Sequence, residues 1–322
     1  HLSIRRQRQM CIRDRLNINE ISGMGDVASL RALSSGHGLQ YLRGAYQAQF
    51  GSTTAGISYS ELKYALGREF VALDAHGSQK MTSLYASYPL VRSLQKNVYA
   101  GLSLDRKNFE DEVGATATLT SKHANVISAS VRGDQSDAEG VTNYGLTLSS
   151  GRIHLDDANV LALDSISAKS QGHFNKLSFV GNRTQKISEN VSIYVNLNGQ
   201  VSSKNLDVSE KMELGGMYGV RAYPEGESFA DQGYVLTLEA RYQLNQLSCN
   251  LPSQLQLIAF IDTGVVQFNH TPWMAGDNRR TLSGAGVGIN WTQAQNFMLR
   301  AYYAEKLGHE PALSSPDTRG RF

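Results

Sequence analysis

The run Gly284-Ala285-Gly286-Val287-Gly288 has the glycine spacing of a phosphate-cradling loop, and 8 histidines and 2 cysteines are the other obvious candidates for ligand chemistry. None of them leads far. The glycines sit inside an alternating segment with no helix after it, so their backbone N–H groups cannot converge on a phosphate. Small residues that clear space beside a strand explain them better. The histidines show no pairing at metal-ligand spacing, and His37 between Gly36 and Gly38 reads as a turn residue. Cys11 and Cys249 give neither a disulfide framework nor a thiolate metal site. No nucleophile elbow, no His-Glu-x-x-His and no distinctive carboxylate pair occurs. The Asn-x-Ser/Thr triplets at Asn182, Asn190 and Asn290 fall in or beside strands and read as chance. The reading is therefore non-enzymatic, with no catalytic residue, no metal and no cofactor.

Two constellations remain. Val220-Arg221-Ala222-Tyr223 lies in a glycine-rich run that also holds Gly215, Gly216 and Gly219, and Phe260-Ile261-Asp262-Thr263-Gly264 lies in an alternating segment. If Arg221 met Asp262 in a partly dry interior, the contact would be a charge-assisted and bidentate one. A carboxylate there is costly unless paired. The residues alone leave a second reading open, in which Asp262 faces water in a wide pore and Arg221 is a solvated surface group.

The elements that would carry these residues are strands. Alternation predicts fourteen of them between residues 16 and 307, most of them 9 to 13 residues long, and no amphipathic helix beyond two turns. Strands of soluble sheets average about 5 to 6 residues, whereas a tilted strand crossing a bilayer needs about 9 to 11. In the strand at 233–244, Tyr234, Leu236, Leu238, Ala240 and Tyr242 share one face, and Val235, Thr237, Glu239 and Arg241 the other. An apolar row with aromatic ends, backed by a charged face, is the pattern of a membrane barrel strand. At 254–267 the row Leu255, Leu257, Ala259 and Ile261 faces lipid, which turns Phe260, Asp262 and Gly264 inward. The strand at 56–66 is poorer, because Glu61 and Lys63 fall in line with Ile57 and Tyr59. Connections alternate between tight turns, at Gln95-Lys96, Glu189-Asn190 and Gln295-Asn296, and longer polar loops at 134–141, 156–173, 203–232 and 269–280. Residues 156–173 are expected to hold a short helix.

Composition agrees with this class. The chain of 322 residues has 15 Tyr, 30 Gly and 6 Pro, and no apolar run long enough for a transmembrane helix. Its mean hydropathy of −0.33 does not argue for solubility, because lumen-facing residues dilute the average. The opening run Arg6–Arg15 resembles translated sequencing-adaptor read-through rather than a signal peptide. Residues 1–15 contain five arginines and one acid, so setting them aside turns the net charge of +2 into −2 and removes the case for nucleic acid.

Leu214 to Tyr242, LGGMYGVRAYPEGESFADQGYVLTLEARY, and Ala259 to Gly264, AFIDTG, resemble the two signature motifs of two-partner-secretion transporters, the haemolysin secretion/activation family of the ShlB/FhaC/HecB type. Gly25–Tyr46, Ser58–Gly77 and Ser83–Ser93 carry the same resemblance. It implies a 16-stranded transmembrane antiparallel β-barrel of the bacterial outer membrane. Its sixth extracellular loop folds into the lumen as a plug or gating strut, and the loop arginine contacts the strand aspartate, which assigns Arg221 to Asp262. Ala222 stands where the superfamily usually has Gly, which argues against a backbone conformation open only to Gly. The resemblance also implies export of a large haemolysin- or adhesin-like exoprotein, recognised by periplasmic POTRA domains through strand addition, by a barrel that is monomeric and lipid-embedded. Residues 16–322 are expected to be the barrel domain, with about fourteen strands present. The POTRA domains, the first strand and the last strand are expected to be missing, with Phe322 a truncation point. Rival readings are an outer-membrane assembly factor of the same superfamily, a diffusion porin and a soluble lectin-like sandwich.

Overall fold

A computed structural model describes residues 12–23, 25–35, 38–67, 72–116, 118–244, 253–293, 297–314 and 317–321. The readings made for Cys11, His37, Cys249, Gln295-Asn296 and Phe322 lie outside these residues. Ten strands open the chain: β1 (Ile12–Asn19), β2 (Val27–Ser34), β3 (Leu39–Phe50), β4 (Thr53–Ala65), β5 (Ala75–Arg92), β6 (Lys96–Val113), β7 (Thr118–Ser136), β8 (Gly140–Leu155), β9 (Gly172–Lys186) and β10 (Val191–Ser202). A short helix α1 (Ala158–Ile166) interrupts the β8–β9 connection. After the long loop come β13 (Gln232–Leu244), β14 (Ser253–Gln267), β15 (Arg279–Gln293), β16 (Phe297–Lys306) and β17 (Gly320–Arg321). These fifteen form one antiparallel sheet in sequence order, a meander with every neighbour in the chain a neighbour in space. Two small strands inside the loop, β11 (Met212–Glu213) and β12 (Phe229–Ala230), pair with each other alone.

All fourteen strands expected from alternation are present, the first displaced from 16–22 to Ile12–Asn19, so that residues 12–15 of the segment set aside pair with β2, and the fold is the all-β membrane barrel class. Its surface is inverted relative to a soluble protein. Leu84, Leu102, Leu104, Leu146, Leu148, Val195, Leu197, Leu238, Leu257, Ile261, Val287 and Trp291 are exposed, while Lys122, Glu210, Glu227, Asp231, Glu239, Asp262 and Arg280 are buried. An outward apolar band with charges turned inward is what hydrocarbon on the outside demands. No helix among the described residues is long and apolar enough to cross a membrane.

Three local readings change. Residues 134–141 are not a long loop: β7 runs to Ser136 and β8 starts at Gly140, so only 137–139 connect them. Polar residues there suggested a loop, yet Arg183 bonds Asp137 at 3.0 Å and the ladder continues beneath it. Strands β5 to β8 reach 16 to 19 residues, longer than a bilayer requires, because the sheet continues beyond the apolar band. Gly320–Arg321, which does not alternate, nevertheless pairs with β16, because backbone hydrogen bonds need no particular side chain. The misfit at Glu61 and Lys63 resolves without a register break. The two bond each other at 3.2 Å near the end of β4.

The longer connections, including 156–171, 203–231, 268–278 and 307–319, share one rim. The opposite rim has short turns such as 93–95 and 187–190. The largest apolar cluster lies inside the wall, where Leu214, Val220, Ala222, Tyr223 and Ala230 from the long loop pack on Val235, Ile258, Phe260, Val266, Leu282 and Ala304. A second cluster joins Leu206 to Ala124, Val126, Ile153, Leu155 and Phe174, with Val160 and Leu161 of α1 against it.

Candidate functional site

The long loop, 203–231, enters the lumen and comes back out. The β11–β12 hairpin forms its stem, and Leu214 N donates to Ser228 O just beyond it. At the turning point Gly215, Gly216 and Gly219 let the chain reverse; Gly216 has φ of +84°, a conformation that side-chain-bearing residues resist. The return is held by Val220 N to Leu214 O and Gly216 N to Tyr223 O. This geometry leaves Met217 and Tyr218 exposed at the tip and buries Val220, Ala222 and Tyr223 completely or nearly so. Tyr223 then donates its hydroxyl to the carbonyl of Glu310 at 3.0 Å.

Arg221 reaches Asp262 through two parallel bonds, Nε to Oδ2 at 2.8 Å and Nη2 to Oδ1 at 2.9 Å, and its backbone N–H adds a third at 3.1 Å. Its remaining nitrogen donates to Glu239 Oε1 at 2.7 Å. Glu239 in turn accepts from Arg241, whose guanidinium lies 4.0 Å from the Tyr194 ring centre. The Arg221 guanidinium also stacks on Phe260 at 3.4 Å, with Tyr302 at 5.3 Å. Asp262 is 0 % exposed, a position that an unpaired carboxylate could not hold. The fork geometry of guanidinium is what lets one residue satisfy two carboxylates at once.

Register explains why these groups meet. Asp262 pairs with Thr237 and Glu239 with Phe260, so both carboxylates face the lumen two residues apart in height. Gly264 faces the same way and leaves room for the loop: a Cβ there would lie 2.3 Å from Leu214 Cδ1. All ten residues singled out from the two motifs thus lie in this loop or on the strand beside it.

Other anchors carry no local signal in the sequence. Glu210 takes Lys107 at 2.5 Å and Lys176 at 2.7 Å, and Asp207 takes Lys122 at 2.9 Å. Asp231 receives Lys211 and the backbone N–H groups of Leu206 and His270. Glu227 accepts from Arg280 at 2.7 Å and from the N–H groups of Leu313 and Ser314, tying the loop to 307–319. Only the charged face of the strand at 233–244 pointed toward Glu239. Pairings such as Lys107 with Glu210 span too much sequence to be visible without the fold. Among the described residues no group of three His, Cys, Asp or Glu could hold a metal ion.

Fold and site together define a membrane β-barrel whose lumen is occupied by an inward-folded loop held through a buried arginine. The chain belongs to the haemolysin secretion/activation family ShlB/FhaC/HecB, whose model matches residues 9–291. It is an outer-membrane barrel. Its relatives include the heme/hemopexin transporter protein HuxB of Haemophilus influenzae strain 86-028NP, 25% identical over 301 residues, covering 90% of this chain and 52% of HuxB. The outer membrane transporter CdiB of Dickeya dadantii is 22% identical over 290 residues, covering 88% of this chain and 50% of CdiB. The chain thus spans about half the length of the curated relatives it matches. Among solved structures, CdiB from Escherichia coli superposes with a TM-score of 0.79 at 16% identity, over 97% of this chain and 58% of that one. BamA from Haemophilus ducreyi lacking POTRA domains 1-3 gives 0.66 at 10%, over 96% of this chain and 66% of that one.

Proposed function

We propose that this chain forms the wall and the lumen strut of a conduit that exports a large, unfolded exoprotein of the haemolysin or adhesin type across the bacterial outer membrane. The observation that carries the reading is the Arg221 fork on Asp262 and Glu239, which places the loop across the interior where a passing chain would go. Family membership and the transporter relatives support transport rather than catalysis as its activity. The loop is a gating strut: it fills space at rest and must shift or make way when a polypeptide passes. Recognition of the exoprotein is assigned to periplasmic POTRA domains, by addition of a strand to an open sheet edge. Direction comes from folding of the exoprotein outside the cell. The likeness to BamA is one of fold alone, and assembly of outer-membrane proteins is the rival that the test below separates.

The test is export in a bacterial outer membrane carrying the transporter with its POTRA region and a haemolysin- or adhesin-type exoprotein expressed with it. Arg221→Ala and Asp262→Ala are each expected to lower export at least about tenfold, since each strands a buried charge worth several kcal/mol. Both variants should keep the mobility difference between boiled and unboiled samples that marks an assembled barrel. Normal export by both variants would remove the strut from the mechanism. Export of no partner, with loss of other barrels from the membrane on depletion, would favour the assembly reading.

A further inference from the structure

The outer face of the sheet carries a basic row that the lumen loop does not use. Register places Thr82 opposite Arg106, Arg106 opposite Asn125, Asn125 opposite Arg152, and Arg152 opposite His173. One step toward the short-turn rim the same face reads Leu84, Leu104 and Ile127, all exposed and apolar, followed by Ser150. One step the other way it reads Lys80, Asn108, His123 and His154, with Asp156 already bonded to His123 at 2.9 Å. A groove of about 470 Å³ runs across this boundary, lined by Leu84, Leu104, Arg106, Asn125, Arg152 and His173 among others.

The two arginines contrast with their inward neighbours. Lys107, Lys122 and Lys176 are each ion-paired. Arg106 and Arg152 are exposed and make no ion pair with a described residue. They stand two strands apart, about 10 Å at the usual strand spacing, on the edge of an apolar band. Unneutralised cations at that edge attract anionic headgroups. The row lies three residues from the end of β8, where the 156–171 loop begins, so it is at the long-loop rim. In outer-membrane barrels that rim faces the outside. The anion available at this depth is therefore the phosphate of an outer-leaflet glycolipid.

We infer that the row Arg106–Asn125–Arg152–His173 is a docking site for the phosphorylated headgroup of lipid A, the membrane anchor of lipopolysaccharide, with acyl chains lying over Leu84, Leu104 and Ile127. The arginines bind phosphate, and Asn125, His173, Thr82 and Ser150 offer hydrogen bonds to sugar hydroxyls. The site rests on the outer-membrane placement of the barrel but not on export or on the strut.

The protein folded in zwitterionic detergent would be titrated with purified lipid A, with phosphatidylethanolamine and with inorganic phosphate, following the thermal unfolding midpoint. Lipid A is expected to raise the midpoint. The R106Q/R152Q variant should need roughly tenfold more lipid A for the same rise, while unfolding as the parent does without lipid. The R106K/R152K variant, which keeps the charge, should fall between the two and serves as the probe if R106Q/R152Q does not assemble. Equal lipid A dependence in the parent and in whichever of these variants assembles would overturn the proposal. So would an equal rise with phosphatidylethanolamine or with inorganic phosphate alone.

Discussion

Ala222 and Gly284 share one small volume. The Ala222 side chain is wholly buried, and a Cβ built on Gly284 would lie 2.5 Å from its own. Ala222 is not among the residues with positive φ, so an alanine sits there without backbone strain. Gly284 accommodates its methyl, and the pair is interchangeable in principle. Gly284→Ala alone is expected to cost about 1–3 kcal/mol by overpacking, read as lower resistance of the loop to added protease. Ala222→Gly in the same chain should recover most of that loss, although Glu305 O at 3.2 Å keeps the site tight. Recovery of nothing would mean that the two residues do not compete for space. Arg221 invites a second experiment at this scale. Arg221→Met and Asp262→Asn should be strongly non-additive in stability, with a coupling of about 0.5–3 kcal/mol, because either change alone leaves a buried charge without its partner.

At the scale of the element, the loop is held by ion pairs spread around the wall rather than by one contact. Burial by itself would push the Glu210 carboxyl up, but Lys107 and Lys176 together outweigh it and hold the group below the usual carboxylate range. Asp207 is lowered in the same way: burial is opposed by Lys122 and by bonds from Ser209. A carboxylate with a depressed folded value stabilises the docked loop at every pH above its ordinary range. That contribution is lost as pH falls through the lowered folded values of Glu210 and Asp207, beneath the ordinary carboxylate range. A probe attached at the exposed tip residue Tyr218 should therefore report an immobile loop at neutral pH and release only in strong acid. Release near pH 6 would point to histidine instead. Glu210→Gln should lessen the acid dependence, since it removes the titrating group while keeping hydrogen-bond capacity.

Across the whole molecule, apolar groups outside and charges inside form one arrangement, and substitutions should divide by face. Leu102→Arg, in the middle of the outward band of β6, is expected to cost about 2–4 kcal/mol in a bilayer, measured as a lower urea midpoint in lipid vesicles. Asn198→Arg, on the inward face of β10, should change it little. Much of this arrangement is legible along the chain. Alternation in segments such as Tyr234–Tyr242 and Leu255–Ile261 specifies a strand, its length and the face that meets lipid, because a period of two is a local property. It also turns Asp262 and Glu239 toward the same interior. The misleading signals are equally local: polar residues at 134–141 have the composition of a loop although the ladder passes through them, and Gly320–Arg321 pairs without any alternation to announce it. What the chain could not show by itself is which distant groups come to share that interior. Arg221 lies 41 positions from Asp262 and Lys107 lies 103 from Glu210, and only the inward fold of the 203–231 loop against the sheet brings each pair within bonding distance. Local patterning specifies the wall and the sign of each face, whereas long-range packing sets the path of the loop. Burial of a carboxylate is tolerable only where the fold delivers its counter-charge.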